Sequence, residues 1–370
     1  MAVGLGRGYL PERFNFDGNA IGQFAKEGVG PHIDDSFRAI SSVYSALGLA
    51  THDEAAGLFT FGVAALNLLL VVHHTRSTPP TVSILALFGL TTALSVVYLG
   101  TYSKDFLTSV LVLIVLATAG RRLAGEVSVL TAIFLYAAYF RSYWFLVLCG
   151  YLAFRLLLAR SPDRPTTRRI GFLMGALVLC VALGSLLVIV SQGVSANYYR
   201  EVVNADRDLS QNANTLIAPF LSIDGPVGGV LNNVITAVTL MVPIPLATIG
   251  GAYYLVLALT IFIVWFLFWR ALTTLAPLGP RQTPLLVQRA AALSLSFVAA
   301  QSVFEPDYGS SLRHLTPLLP LMLYVMWWAR GVAMSRGGRQ VPSPGAPSRC
   351  SEWSTESSGV ASTHIPTTRA

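Results

Sequence analysis

The densest group of chemically capable side chains lies late in the chain, in Phe304-Glu-Pro-Asp-Tyr-Gly-Ser-Ser-Leu-Arg-His314. Two carboxylates, Glu305 and Asp307, stand a few residues from Arg313 and His314, in a turn tight enough to use Pro306 and Gly309. Arg313 in such a setting can hold a diphosphate while a carboxylate takes the proton of a sugar hydroxyl. The competing reading is a loop that neutralises its own charges.

Other charges also stand close to apolar runs. Lys104 and Asp105 follow one run in the turn 100–105, and Arg141 sits beside Tyr143 and Trp144 in the turn 140–144. Charge next to hydrocarbon is costly unless it is paired or functional. Either Lys104 pairs with Asp105 and Arg141 snorkels into an aromatic belt, or these groups bind a ligand. The loop 193–228 adds Tyr198, Tyr199, Arg200 and Glu201, then Asp206-Arg207-Asp208, Asn212 and Asn214. Aromatic faces and amides suit a carbohydrate better than a lipid tail. An Asp-x-Asp pair can hold a cation, although a solvated pair is the simpler reading here. Near the N-terminus, Asp17, Asp34 and Asp35 are candidate acid or base groups, with a helix N-cap as the alternative for one of the last two.

Neither a metal nor a cofactor is expected. Cys149, Cys180 and Cys350 lack ligand spacing or a disulfide framework, and His73 with His74 reads as the polar end of an apolar run.

These turns need elements to hold them, and composition says which. Of 370 residues 54% are hydrophobic and 12% charged, with a mean hydropathy of +0.61, which excludes an ordinary soluble domain. Apolar stretches at roughly 56–73, 82–99, 106–119, 127–140, 143–158, 170–192, 252–269, 286–303 and 315–329 predict an all-α bundle of about nine spans. The formal net charge of +7 would suggest nucleic acid in a soluble protein. Here the arginines occupy short loops between spans, so the excess is topological and no nucleic-acid partner is expected.

With nine spans, Arg76, Arg121, Arg122, Arg155, Arg160, Arg164, Arg168, Arg169, Arg270, Arg281, Arg289, Arg330 and Arg336 share one side, the cytoplasm by the positive-inside rule. Residues 230–250, carrying Asn232, Asn233, Pro243 and Pro245, are apolar enough to tempt a tenth span. Counting them would split the arginines, so they read as interfacial or re-entrant. The predicted organisation is an outer-face segment 1–55 with an amphipathic helix, a membrane bundle 56–334, and a disordered cytoplasmic tail 335–370. Outer loops fall at 100–105, 140–144, 193–250 and 304–314. In the outer segment, Ile40, Val43, Tyr44 and Leu47 line one helical face, for a membrane surface or another helix. Its outer placement without a preceding span leads us to expect a further hydrophobic helix upstream of Met1.

Leu10-Pro-Glu-Arg-Phe with Asp17, Tyr102-Ser-Lys-Asp-Phe106, Phe140-Arg-Ser-Tyr-Trp144 and the 304–314 motif together resemble bacterial polysaccharide polymerases of the Wzy or exopolysaccharide-polymerase kind. The resemblance covers about residues 9–330. It implies a glycosyltransferase on the outer face of the bacterial plasma membrane. Such an enzyme moves a growing glycan from undecaprenyl diphosphate onto the next lipid-linked repeat unit, without metal or nucleotide sugar. Partners would be the lipid-linked oligosaccharide, membrane lipids, and chain-length regulator and flippase proteins. On this reading Arg141, Arg313, His314, Lys104, Arg200, Tyr143 and Tyr198 contact substrate, and Glu305, Asp307 and Asp17, in that order, are candidate bases. The family commonly has more helices than nine.

Two other readings stand beside it. A C-type glycosyltransferase using a polyprenyl phosphosugar would add one sugar. A transporter or flippase of lipid-linked glycans would carry ionisable groups at mid-membrane depth and internal repeats, neither of which is evident here.

Overall fold

The computed structural model describes residues 16–27, 35–160, 166–208, 215–223 and 225–337. Two short helices, α1 (Phe16–Glu27) and α2 (Asp35–Ala46), precede the apolar helices α3 (Asp53–Thr75), α4 (Val82–Leu99), α5 (Phe106–Ala117), α6 (Leu123–Tyr139), α7 (Trp144–Arg160) and α8 (Thr166–Gln192). There follow α9 (Tyr198–Asp208), α10 (Gly225–Met241), α11 (Ile244–Thr248), α12 (Ala252–Leu275), α13 (Leu285–Phe304), α14 (Tyr308–Leu315), a 3-10 turn and α15 (Leu319–Gly337). Six segments are long and apolar enough to cross a membrane: α3, α4, α8, α12, α13 and the run Tyr308–Arg336. Four apolar helices, α5, α6, α7 and α10, are shorter.

Helix α13 is the axis, with every residue from Leu286 to Val303 buried. Its run of Ala290, Ala291, Ala292, Ser294, Ser296, Ala299 and Ala300 lowers its hydropathy and lets neighbours come close. Against α7, a Cβ at Gly150 would stand 2.9 Å from that of Ser296. The outer helices do the reverse: Leu179, Leu183, Leu187 and Val190 of α8 are all exposed, as expected where hydrocarbon is the solvent.

The arginine-bearing ends gather at one end of the bundle. Arg289, fully buried, donates to the carbonyls of Thr118, Arg121 and Arg122 at 2.8–2.9 Å and pairs with Glu126 at 3.0 Å. Arg155 pairs with the same Glu126 at 3.1 Å and donates to Gln288 at 2.9 Å. Arg169 donates to the carbonyls of Ala276 and Leu278, closing the end of α12. Trp327, midway along α15, donates to Thr78 O at 3.0 Å, so α15 passes beside the turn that carries Arg76.

Helix α10 begins at the opposite end, where Asn232 accepts the N–H groups of Phe220 and Leu221 and Asn233 donates to Ser185. Met241, its last residue, accepts from Trp269 near the end of α12 at 3.3 Å. The chain then climbs back through α11 and the left-handed Gly250 and Gly251 (φ +86 and +89) to start α12. Residues 225–251 therefore enter and leave at one end, although the entering limb is a regular helix within the bundle and not an irregular loop.

The predicted amphipathic helix is α2. Ile40 and Tyr44 are buried, while Leu47 lies beyond the helix and is half exposed. Its apolar face packs on α1, with Ala20, Ile21, Phe24, Phe37, Tyr102 and Phe106 forming an apolar cluster of their own. The motif 10–14, Asp34, Arg164, Asn212, Asn214 and the tail beyond 337 lie outside the described residues, and the side chains of Asp206, Arg207 and Asp208 are not described.

Candidate functional site

At the end opposite the arginine loops, four sequence segments meet. The turn after α4 supplies Lys104 and Asp105, the latter at the N-terminus of α5. The turn between α6 and α7 supplies Arg141 and Tyr143, α14 supplies Arg313 and His314, and α1 supplies Asp17. Asp105, 1% exposed, is the hub: its Oδ1 lies 3.2 Å from Arg141 Nη2 and 2.8 Å from His314 Nδ1, and its Oδ2 lies 3.6 Å from Arg313 Nε. Asp17 Oδ2 lies 2.7 Å from Arg313 Nη1 and 3.3 Å from Lys104 Nζ.

Several readings of the sequence change accordingly. Lys104 and Asp105 do not pair with each other, because adjacent residues leaving a helix end point apart; Lys104 reaches Asp17 and lies 4.4 Å above the Phe37 ring. Arg141 does not snorkel into an aromatic belt: it is buried, donates to the Tyr143 hydroxyl at 2.9 Å, and stands beside a fully buried Trp144. Nor is the 304–314 loop self-neutralising, since the ion-pair partners of Arg313 come from α1 and the 100–105 turn.

Burial pushes both aspartates up, but the cations around them win. Arg313 and Lys104 hold Asp17 at about 2, and His314, Arg141 and Arg313 hold Asp105 well below the carboxylate range. Burial lowers Lys104, against the pull of Asp17.

The remaining candidates divide. Glu305 is buried, its Oε2 accepting from Gln301 at 3.3 Å and lying 4.0 Å from His314 Nε2. Asp307 caps α14: its Oδ1 accepts Ser310 N–H at 2.7 Å and the Thr215 hydroxyl at 3.3 Å. A short antiparallel pairing, Ile217 N–H to Pro306 O and Tyr308 N–H to Thr215 O, holds that turn. Arg200, 2% exposed, donates to the carbonyls of Glu305 and Ser302 and to Thr236. It braces the turn from behind, and burial lowers it to about 10. Tyr198 is 44% exposed and meets only the outer edge of this region, through Tyr199 against Phe304.

Sequence reasoning missed Gln301 and Ser310 at the site and the Glu126–Arg155–Arg289 network at the far end. A lone Glu126 in an apolar run was the available signal for the latter. Among the described residues, no three His, Cys, Asp or Glu side chains are grouped to hold a metal.

Chemically, the cluster offers cations on its outer edge and proton acceptors behind them. With Nδ1 donating to Asp105, His314 presents Nε2 as an acceptor, 3.3 Å from Ser310 Oγ and beside Glu305. The fold defines a multi-pass, all-helical membrane protein with a buried charged centre at one end. Compared with protein-family models, curated proteins and solved structures, the chain matches none.

Proposed function

We propose that the protein is a membrane glycosyltransferase that polymerises lipid-linked oligosaccharide repeat units. The observation that supports this reading is the meeting of Arg313, Lys104, Arg141, His314 and Glu305 at the end opposite the arginine loops. The positive-inside rule makes that end the outer face of a bacterial plasma membrane, with the C-terminus cytoplasmic. The donor is a growing glycan on polyprenyl diphosphate and the acceptor a second lipid-linked unit. Flippase and chain-length regulator proteins are the partners such a reaction needs.

In the proposed step the acceptor hydroxyl forms a bond to C1 of the donor sugar as the bond from C1 to the diphosphate oxygen breaks. The diphosphate leaves with the electron pair and is neutralised by Arg313 and Lys104, whose side chains are 20% and 17% exposed. The hydroxyl proton passes to His314 Nε2 or Glu305, which lie behind those cations. Asp307, engaged as a helix cap, stays below Glu305 among the candidate bases.

The test is genetic. The gene is deleted and complemented with wild type or Arg313→Ala, and lipid-linked and surface glycans are resolved by size. Collapse of the ladder to single units, reversed by wild type alone, supports polymerisation. An unchanged ladder after deletion overturns it, and loss of one sugar from every unit assigns the C-type reaction instead.

A further inference from the structure

Asp17 occupies the place where a ligand anion would be expected. Its single Oδ2 atom faces Arg313 Nη1 and Lys104 Nζ, two cations from separate segments on the outer, partly exposed edge of the cluster. One oxygen shared between a guanidinium and an ammonium is the arrangement a phosphate oxygen adopts. Helices α1 and α2 share an apolar cluster with Ala56, Tyr102 and Phe106; α2 is anchored there by Tyr44, whose hydroxyl bonds both the N–H and the carbonyl of Ser103, whereas α1 lies against the 101–102 turn through two glycines. A Cβ at Gly18 would stand 3.3 Å from Tyr102 O, and one at Gly22 3.2 Å from the Tyr102 ring.

We propose that Arg313 and Lys104 form a phosphate subsite whose resting occupant is Asp17, and that α1 shifts off the 101–102 turn, with α2 held in place by Tyr44, to admit the phosphate of the ligand. The inference rests on the diphosphate reading of this cluster. On displacement the ligand takes both cations, and the Asp17 carboxylate is left to water with its proton affinity restored towards the ordinary range.

Inorganic diphosphate binding to the purified full chain in detergent tests it. Asp17→Asn removes the competing charge and is expected to bind about tenfold more tightly than wild type, the scale of an ion-pair contribution at a partly exposed site. The movement is tested by a tether. A Cβ at Gly18 would lie 3.6 Å from Thr101 Cβ, within the roughly 3.5–4.5 Å that a disulfide spans. In a background with Cys149, Cys180 and Cys350 replaced by Ser, the oxidised Gly18→Cys/Thr101→Cys pair should bind diphosphate at least tenfold more weakly, with binding restored by reductant.

Equal or weaker binding by Asp17→Asn overturns the occupant, and equal binding by oxidised and reduced tethered protein overturns the movement. If diphosphate binds and Arg313→Ala abolishes binding while Asp17→Asn changes nothing, the subsite survives and only the displacement falls. If neither wild type nor Asp17→Asn binds diphosphate, the proposal and the diphosphate reading fall together.

Discussion

His314 Nδ1 lies 2.8 Å from Asp105 Oδ1, across a separation of 209 residues. This contact fixes the imidazole ring and selects the tautomer in which Nε2 accepts a proton. Asp105→Asn keeps the shape but removes the charge that orients His314 and balances Arg141. Transfer should fall by about 100-fold, the scale of a positioned acid–base group. Initial rates of ladder extension in membranes carrying equal amounts of variant and wild type check this.

Glu305 and Asp307 are separated by their surroundings, although two positions apart. Asparagine caps a helix as well as aspartate does, so Asp307→Asn should polymerise at close to the wild-type rate, whereas Asp307→Ala should lose about 1 kcal/mol of stability. Glu305→Gln, in contrast, should slow transfer without unfolding the protein. An inactive, well-folded Asp307→Asn would return Asp307 to the chemistry.

Asp17 sets an acid limit for docking of the N-terminal helices. Its folded value, about 2, lies below the ordinary aspartate value. The contribution to stability, on the order of 2 kcal/mol, is therefore fully present above about pH 4 and is lost as pH falls through 2. Protease susceptibility between α1 and α3 should rise over that window in wild type and be flat in Asp17→Asn.

Glu126 serves Arg155, Arg289 and the Tyr151 hydroxyl together. Glu126→Gln strands a fully buried guanidinium, and breaking a buried pair from one side costs about 3–5 kcal/mol. The melting temperature of the detergent-solubilised protein should drop markedly. Glu126→Asp should give an intermediate loss, because it keeps the charge with a shorter reach.

Much of this was legible in sequence because hydrocarbon makes charge conspicuous. Lys104, Asp105 and Arg141 stand out by their closeness to apolar runs, Glu305 and Arg313 by the density of charge in one tight turn, and the structure gathers them. The partners were not legible: nothing local says that Lys104 reaches Asp17 or that Arg313 takes its ion-pair partners from outside its own loop. Arg289 was read as a loop arginine because charge within a span carries no sign of burial until the carbonyls of Thr118, Arg121 and Arg122 are seen around it. The helical start of the 225–251 excursion was obscured by its asparagines and prolines. Asn232 and Asn233 in fact spend their polarity inside the bundle, and the prolines fall after the helix has ended.

The buried network of Arg289 has a mechanical consequence. It rivets α5, α6, α7 and α13 together at the arginine end through one carboxylate and three carbonyls, whereas the α1–α2 pair is laid over the far end, through the ion pairs of Asp17, two glycines and the packing of Tyr44 on Tyr102 and Phe106. One end is thus tied from inside the bundle and the other is covered by helices laid across it. Heating should therefore loosen the covering helices before it disturbs the four that Arg289 and Glu126 join.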